Sequence, residues 1–79
     1  MNINLGDIIY VYIPDNINMK KCEYSVDEVI INSHGVFLKD KLHDTICMAD
    51  NIDSCHADKL GRLYFSSESL REEYIKGIK

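Results

Sequence analysis

Two histidines and two cysteines in the second half of the chain are the residues best suited to hold a metal ion. They are His43, Cys47, Cys55 and His56, and zinc prefers four such nitrogen and sulfur ligands. On a strand, His43 and Cys47 would share a face but lie ~13 Å apart, too far for one ion. Cys55 and His56 are adjacent, and the chain has no C-x-x-C pair. The spacing therefore predicts solvated histidines and packed thiols, with no metal site.

Nucleophilic catalysis is the second chemistry that such side chains could support. It needs a cysteine or serine near a histidine, a third group that orients the histidine, and a concave pocket. A domain of 79 residues rarely encloses the cleft of ~300 Å³ or more that small-molecule sites occupy. The four glycines are isolated from one another, so the chain has no Gly-rich phosphate loop. We therefore predict no enzyme activity, no catalytic residue and no cofactor.

Charge is concentrated in one segment of the chain. Residues 40–58 contain five aspartates and a single lysine, so they carry the whole net charge of −4. A local negative field repels nucleic-acid phosphates and attracts basic protein surfaces. The candidate partner-binding residues are Asp40, Asp44, Asp50, Asp53 and Asp58. A simpler interpretation stays open, in which these aspartates begin turns and keep a loop soluble.

Length and composition predict one small domain over residues 1–79. Isoleucine, valine, tyrosine and phenylalanine together outnumber alanine and leucine, which favours strands. No apolar run approaches the ~18 residues of a membrane span, and no charged leader with an apolar run follows Met1. We expect a cytoplasmic protein that binds neither membrane nor nucleic acid, with its three cysteines reduced.

Apolar patterning predicts an antiparallel meander in the first half of the chain. Residues 8–13 form a continuous apolar run, typical of a central strand covered on both faces. Residues 22–31 alternate, but their apolar phase slips by one residue at Asp27 and Glu28, which indicates a β-bulge or sharp bend. Residues 32–35 have the composition of a tight reversal.

The second half is predicted to contain shorter strands, a loop and a helix. Strands are expected at residues 36–38 and 45–48, followed by a loop at 49–59 that closes with a helical turn at 57–60. A short strand that opens at a glycine is expected at 61–65. Ser66 or Ser67 can cap the helix that follows. Leu70, Tyr74 and Ile78 lie four residues apart on one helix face. We predict that Leu70 and Tyr74 anchor this helix on the core, with a partner-binding stripe as the second interpretation.

Three segments together resemble a family of very small SH3-like barrel proteins of Gram-positive phages and mobile elements. They are residues 6–10, the bent strand at 24–31, and residues 60–69. That family opens with Gly-Asp-x-hydrophobic-aromatic and continues late with Ile-Gly-Lys-x-Val-Phe-Leu-Thr and a Glu-Glu-Ala helix. Here Arg62 stands for the lysine, Ser66 for the capping threonine, and Ser69 and Leu70 for Glu-Ala.

The resemblance implies a mainly β fold, a small SH3-like antiparallel barrel of about five strands with a C-terminal helix. It also implies a non-enzymatic binding module, and small acidic proteins of this type include inhibitors of host defence such as anti-CRISPR proteins. Our leading hypothesis is that the aspartates listed above bind a basic, nucleic-acid-handling host protein and occlude its surface. One alternative is an accessory domain that self-associates or docks to a phage structural protein. Another is a metal- or redox-responsive regulator that uses Cys47 and Cys55.

Overall fold

The fold is mainly β with a C-terminal helix, as the sequence predicts. A computed structural model describes residues 3–41 and 46–77. Within these residues the elements are β1 (Ile8–Tyr12), β2 (Lys21–Ser25), β3 (Glu28–Asn32), β4 (Gly35–Lys39), β5 (Cys47–Met48), a 3-10 turn (Ala49–Asn51), β6 (Leu63–Phe65) and α1 (Glu68–Gly77). Thr45 and Ile78, which the sequence assigns to a strand and to the helix, lie outside the described residues.

The strands form two antiparallel sheets of three strands each. One sheet has the order β2-β1-β6, and the other has the order β3-β4-β5. β1 is the central strand of its sheet, as its continuous apolar run predicts. It is fully buried on one face only, because Ile9 and Val11 are buried whereas Ile8 is 39% exposed and Tyr10 and Tyr12 are half-buried. Over residues 3–41 and 46–77, the two sheets do not close into one continuous ring.

A sharp bend carries the chain from the first sheet to the second. The Val26 amide donates to the Asp7 carbonyl (2.9 Å), which extends the β1–β2 ladder. One residue later, the Asp27 amide donates to the Lys39 carbonyl (2.8 Å), which belongs to β4. The predicted bend is therefore confirmed, and it turns at residues 26 and 27. The Val26 side chain is buried where the two sheets meet.

The β3–β4 hairpin is the tight reversal expected at residues 32–35. The Asn32 side-chain oxygen accepts a hydrogen bond from the His34 amide (2.8 Å). Gly35 has a φ of 134°, and a Cβ atom there would come within 3.1 Å of the Met48 methyl carbon. The backbone conformation thus requires glycine, and a larger residue would also have to displace the Met48 methyl group by a few tenths of an ångström.

The core lies between the two sheets and is built from both of them. Its buried members include Ile9, Val11, Val26, Leu38, Ile46, Cys47, Ile52 and Tyr64. Ile52 reaches this core from the segment after the 3-10 turn, where it bridges Tyr64 of β6 in a parallel sense. The segment that the sequence treats as a loop therefore contributes a core residue.

The prediction of a helical turn at residues 57–60 is wrong, because this part of the chain is not helical. Residues 58–61 form a single hydrogen-bonded turn, in which the Gly61 amide donates to the Asp58 carbonyl (3.0 Å). The Asp58 carboxylate also accepts from the Leu60 amide (2.9 Å). An aspartate that caps its own turn in this way offers the backbone an alternative to helix.

Helix α1 begins as predicted but packs through a different face. Ser67 is the capping residue, because its hydroxyl accepts from the Leu70 amide (3.2 Å). Leu70 is 41% exposed, so its prediction as a core anchor is wrong. Tyr74 does pack inward, with its ring 5.5 Å from that of Phe65 and 6.3 Å from that of Tyr12.

The residue that replaces Leu70 in the helix–sheet contact is Arg71. Its side chain is only 4% exposed, and its Nη1 atom donates to the carbonyls of Val11 (3.3 Å) and Cys22 (3.2 Å). The same atom lies 2.6 Å from the Glu23 carboxylate. The guanidinium also sits over the Tyr10 ring, 5.4 Å from its centroid. One charged group thus joins α1 to both β1 and β2.

This guanidinium keeps its charge although it is buried. Burial by itself would lower the pKa of Arg71, but the hydrogen bond and the negative charge of Glu23 outweigh it, and Glu72 adds to them, so the pKa is raised. A buried cation with several partners is stable only while those partners remain.

Removing the Arg71 head group should therefore weaken the whole domain. We expect Arg71→Met, which keeps the length of the apolar stem, to lower the free energy of unfolding by about 2–3 kcal/mol. Urea unfolding followed by circular dichroism measures this change. The matched control is Lys76→Met, which removes an exposed cation from the same helix and should cost less than about 0.5 kcal/mol. Equal stability of the two variants would contradict the role given to Arg71.

Candidate interaction surface

The five predicted aspartates have different environments in the structure. Asp50 is exposed in the 3-10 turn, Asp53 is exposed just after it, and Asp40 and Asp58 are half-buried. Asp44 lies outside the described residues. Asp53 and Asp58 bind neighbouring parts of the chain, so they have a structural role in addition to their charge.

Asp58 is the centre of a compact hydrogen-bonded cluster. Its Oδ1 atom accepts from the backbone amides of Leu60 and Arg62, each at 2.9 Å. Its Oδ2 atom accepts from the Arg62 Nε atom (2.9 Å) and from the Tyr64 hydroxyl (2.6 Å). The Arg62 guanidinium also lies 5.7 Å from the centroid of the Tyr64 ring. This cluster fixes the turn that precedes β6.

The protonation of this cluster follows from its geometry. Burial alone would raise the pKa of Asp58, but the hydrogen bonds from Tyr64, Arg62 and Leu60 together lower it. Burial raises the pKa of Tyr64, and its hydrogen bond to Asp58 raises it further. Asp58 is therefore a carboxylate and Tyr64 a neutral phenol at neutral pH. Since the carboxylate is shared among four donors, Asp58 is poorly placed to bind a partner's cation.

Asp53 connects the irregular segment to the start of the helix. It has a φ of 61°, in the left-handed region that aspartate tolerates better than most residues. Its carboxylate accepts from the Ser66 amide (3.0 Å) and the Ser66 hydroxyl (2.6 Å). Its own amide donates to the Tyr64 carbonyl (2.8 Å). The side chain stays exposed, so its charge still faces solvent.

An open groove of about 270 Å³ lies where this segment meets α1. Its lining residues are Asp53, Cys55, Phe65, Leu70, Glu73 and Tyr74. Cys55 also adopts a left-handed backbone conformation, with a φ of 62°, and is exposed. The two left-handed residues turn the chain so that it forms one wall of the groove, while α1 forms the other.

The groove is lined almost entirely by apolar surface, and two acidic residues border it. Phe65, Leu70 and Tyr74 supply apolar surface, and Asp53 and Glu73 supply negative charge. Lysine and arginine side chains have an apolar stem and a cationic head, so they match both features. Arginine can also stack on an aromatic ring. The groove is thus chemically suited to a basic side chain of a partner protein.

Sequence reasoning identified only part of this surface. Asp53 belongs to the predicted acidic set, and Leu70 and Tyr74 were the second-choice candidates for a partner-binding stripe, but Glu73 was not predicted to take part. One feature of the sequence could have revealed that Leu70 and Glu73 act together. They lie three residues apart on α1, which places them on one helix face. The exposed Asp50 lies in the 3-10 turn and does not line the groove.

The described residues that were considered for metal binding, Cys47, Cys55 and His56, do not form a metal site. Among the residues that the structure describes, no group of three or more histidine, cysteine or acidic side chains could hold an ion. Cys47 is buried, Cys55 is exposed, and His43 is outside the described residues. Burial raises the pKa of Cys47 to about 12, so this thiol is a poor nucleophile, and a redox role shared with Cys55 gains no support.

No protein-family model, curated protein or solved structure matches this chain. Within the described ranges, no helix has the length and the apolar character needed to cross a membrane. The function must therefore be argued from the groove and its charges.

The lowered pKa of Asp58 predicts a specific dependence of stability on pH. A carboxylate whose pKa is depressed in the folded state stabilises the fold above its unfolded pKa of about 3.9, and this stabilisation is lost as pH falls through the folded value. We expect Asp58→Asn to cost about 2 kcal/mol at neutral pH, and the difference from the unmodified protein should shrink as the solution is acidified below that range. Urea unfolding at neutral and acidic pH measures it.

The control for this experiment is Asp50→Asn, which removes the same charge from an exposed site. It should leave the stability nearly unchanged at both pH values. A difference between Asp58→Asn and the unmodified protein that stays constant down to low pH would show that the Asp58 charge contributes nothing.

Thiol reactivity should distinguish the exposed Cys55 from the buried Cys47. With a pKa near 12, Cys47 has only about 10⁻⁵ of its population as thiolate at pH 7. We expect iodoacetamide to modify exposed Cys55 first and to leave Cys47 unmodified in the native protein, as measured by peptide mass spectrometry. The same reaction in urea, where both thiols should react, is the control. Modification of native Cys47 at the rate of Cys55 would contradict its burial.

Proposed function

We propose that this protein is a non-enzymatic binding module that inhibits a basic, nucleic-acid-handling host protein by occluding its surface. In this proposal it acts in the host cytoplasm in the manner of anti-CRISPR inhibitors encoded by phages. The single observation that carries the proposal is the apolar groove bordered by Asp53 and Glu73. The net charge of −4 favours the same class of partner.

Charge and shape together support a protein partner. Negative potential repels nucleic-acid phosphates and attracts basic surfaces. The groove, at about 270 Å³, is smaller than the ~300–1,000 Å³ that small-molecule sites usually occupy. A standard protein interface uses ~800 Å² from each partner, roughly a seventh of the 5478 Å² accessible surface of this domain. The groove would then anchor one basic side chain at the centre of a wider contact.

The polar residues best positioned for chemistry are occupied with each other, which supports a non-enzymatic role. Asp58, Arg62 and Tyr64 satisfy one another in the turn before β6. Arg71 is buried against Glu23, and the Cys47 thiol is buried with a raised pKa. In each case the side chain stabilises the fold and does not line the groove.

We also propose that the two sheets are the halves of an SH3-like barrel. The bend at residues 26 and 27 joins them on one side. On the other side, the bridge between Ile52 and Tyr64 ties the segment after β5 to β6. These two connections support the barrel and its kinship with the small phage proteins that the sequence resembles.

Affinity capture with matched variants tests the proposed function. We expect the immobilised protein to retain a basic nucleic-acid-binding protein from host lysate and to release it as salt is raised. For the protein retained, Glu73→Lys should weaken binding at least about tenfold, or 1.4 kcal/mol, and should relieve inhibition of its nucleic-acid-handling activity. Asp50→Lys should have a smaller effect, because Asp50 does not line the groove.

Asp15→Lys is the matched control, since Asp15 is exposed in the β1–β2 loop away from the groove. It adds the same charge and should leave binding nearly unchanged. Equal losses for Glu73→Lys and Asp15→Lys would assign the effect to net charge alone. The proposal would be contradicted if no basic protein were retained. It would also be contradicted if the affinity changed neither with salt concentration nor on Glu73→Lys substitution.

A further inference from the structure

The edges of the two sheets differ in how well they are protected. Sheet edges expose unpaired backbone groups that can pair with another chain, so natural proteins shorten them, cover them or place charges on them. Here the edge strands are β2 and β6 in one sheet and β3 and β5 in the other. Three of these four are protected in one of those ways.

Two edges are covered or short. The outer side of β6 is occupied by the segment at Ile52 and Asp53, where the Asp53 amide donates to the Tyr64 carbonyl (2.8 Å). β5 has only two residues and runs directly into the 3-10 turn. Neither offers a partner strand a usable length of backbone.

The β2 edge is guarded by charge. Lys21 pairs with Glu72 (2.8 Å), and Glu23 pairs with Arg71 (2.6 Å). These ion pairs also tie the β2 side chains to α1. A second strand could approach this edge only beside two charged residues already held by the helix.

Among the described residues, the β3 edge is neither short nor covered, and it carries a single charge. Its five residues contain one charge, Glu28, and neither lysine nor proline. Ile31 is 76% exposed, and Val29 and Ile30 are half-buried. No described residue pairs with the side of β3 opposite β4.

The hydrogen-bond pattern shows which backbone groups face this open side. The Leu38 carbonyl accepts from the Ile46 amide (2.8 Å), so the backbone of Leu38 faces away from β3. Val29 lies opposite Leu38 in the β3–β4 ladder, and in such an antiparallel pair both residues turn their groups outward. By the same alternation, Ile31 also presents its amide and carbonyl to the open side.

We propose that two copies of this chain associate through their β3 edges, in antiparallel orientation and centred on Ile30. In this register Val29 of each copy lies opposite Ile31 of the other. Each of these two residue pairs makes two N–H···O bonds, so the interface contains four. The sheets then join into one six-stranded sheet with the order β5-β4-β3-β3-β4-β5. This inference does not depend on the proposed function, since no groove residue lies on β3.

The side chains of β3 are self-complementary in this register, which favours a second copy as the partner. The register places Ile30 opposite Ile30 and Glu28 opposite Asn32, so no two like charges face each other. A shift by two residues would pair fewer of the five positions and would put Asp27 or the turn residue Ser33 opposite an apolar residue. An interface of this kind is isologous and closes at two copies. Because the contact is small, association should be weak and concentration-dependent.

Disulfide trapping tests the register directly. In a Cys55→Ser background, which removes the exposed thiol, we expect Ile30→Cys to form a disulfide-linked dimer under mild oxidation. The two Cα atoms in a non-hydrogen-bonded pair are about 4.5 Å apart, within the range of a disulfide. Glu28→Cys is the control, since its two copies would lie ~13 Å apart along the strands and should not link. Equal cross-linking of both variants would overturn the register.

Sedimentation velocity over about a hundredfold range of concentration tests the association itself. We expect the unmodified protein to shift from monomer to dimer, and Ile31→Lys and Ile31→Pro to stay monomeric. Proline at 31 removes only an outward amide, so circular dichroism should show the native sheet content. The control is Ile17→Lys, which adds the same charge at a 91% exposed isoleucine in the loop between β1 and β2. This variant should dimerise normally. A protein that remains monomeric throughout, or a dimer that survives both Ile31 substitutions, would overturn the proposal.

Discussion

The contact between Arg71 and the sheet is the interaction on which the architecture of this domain depends. Helix α1 offers little apolar surface to the core, and its most buried side chain is charged. The charged guanidinium donates hydrogen bonds to two strand carbonyls and to the Glu23 carboxylate, and it lies over the Tyr10 ring. The helix is therefore held in one orientation by directional bonds, whereas a purely apolar face would allow it to slide. That orientation is what leaves Leu70 and Glu73 on the outer side, where they form one wall of the groove.

The strands could be predicted from sequence because their signals are local. The apolar run at residues 8–13 becomes β1, and the phase slip at Asp27 and Glu28 becomes the bend between the sheets. The cap at Ser67 follows from the same kind of local signal. Each of these features depends on a few neighbouring residues, which a single sequence displays.

The errors concern side chains whose environment is made by distant residues. Leu70 was predicted to be buried and Arg71 was overlooked, because the burial of an arginine depends on carbonyls and a carboxylate roughly fifty residues away. The groove was missed for a similar reason, since it needs left-handed backbone at Asp53 and Cys55, which neither residue type requires. The acidic segment was recognised as a group, but its sequence does not show that Asp58 binds Arg62 and Tyr64 while Asp50 stays free of the groove.

The pairing of β6 with β1 has a consequence for how the chain acquires its fold. The β1–β2 and β3–β4 ladders join neighbouring strands, whereas β1–β6 joins Val11 to Tyr64 across most of the chain. Closing so large a loop costs entropy before any contact rewards it. During synthesis, both hairpins can form early, but the central strand stays open on one side until the last strand leaves the ribosome. Throughout that interval the nascent polypeptide is vulnerable to proteases and to chaperone capture along the flank of β1.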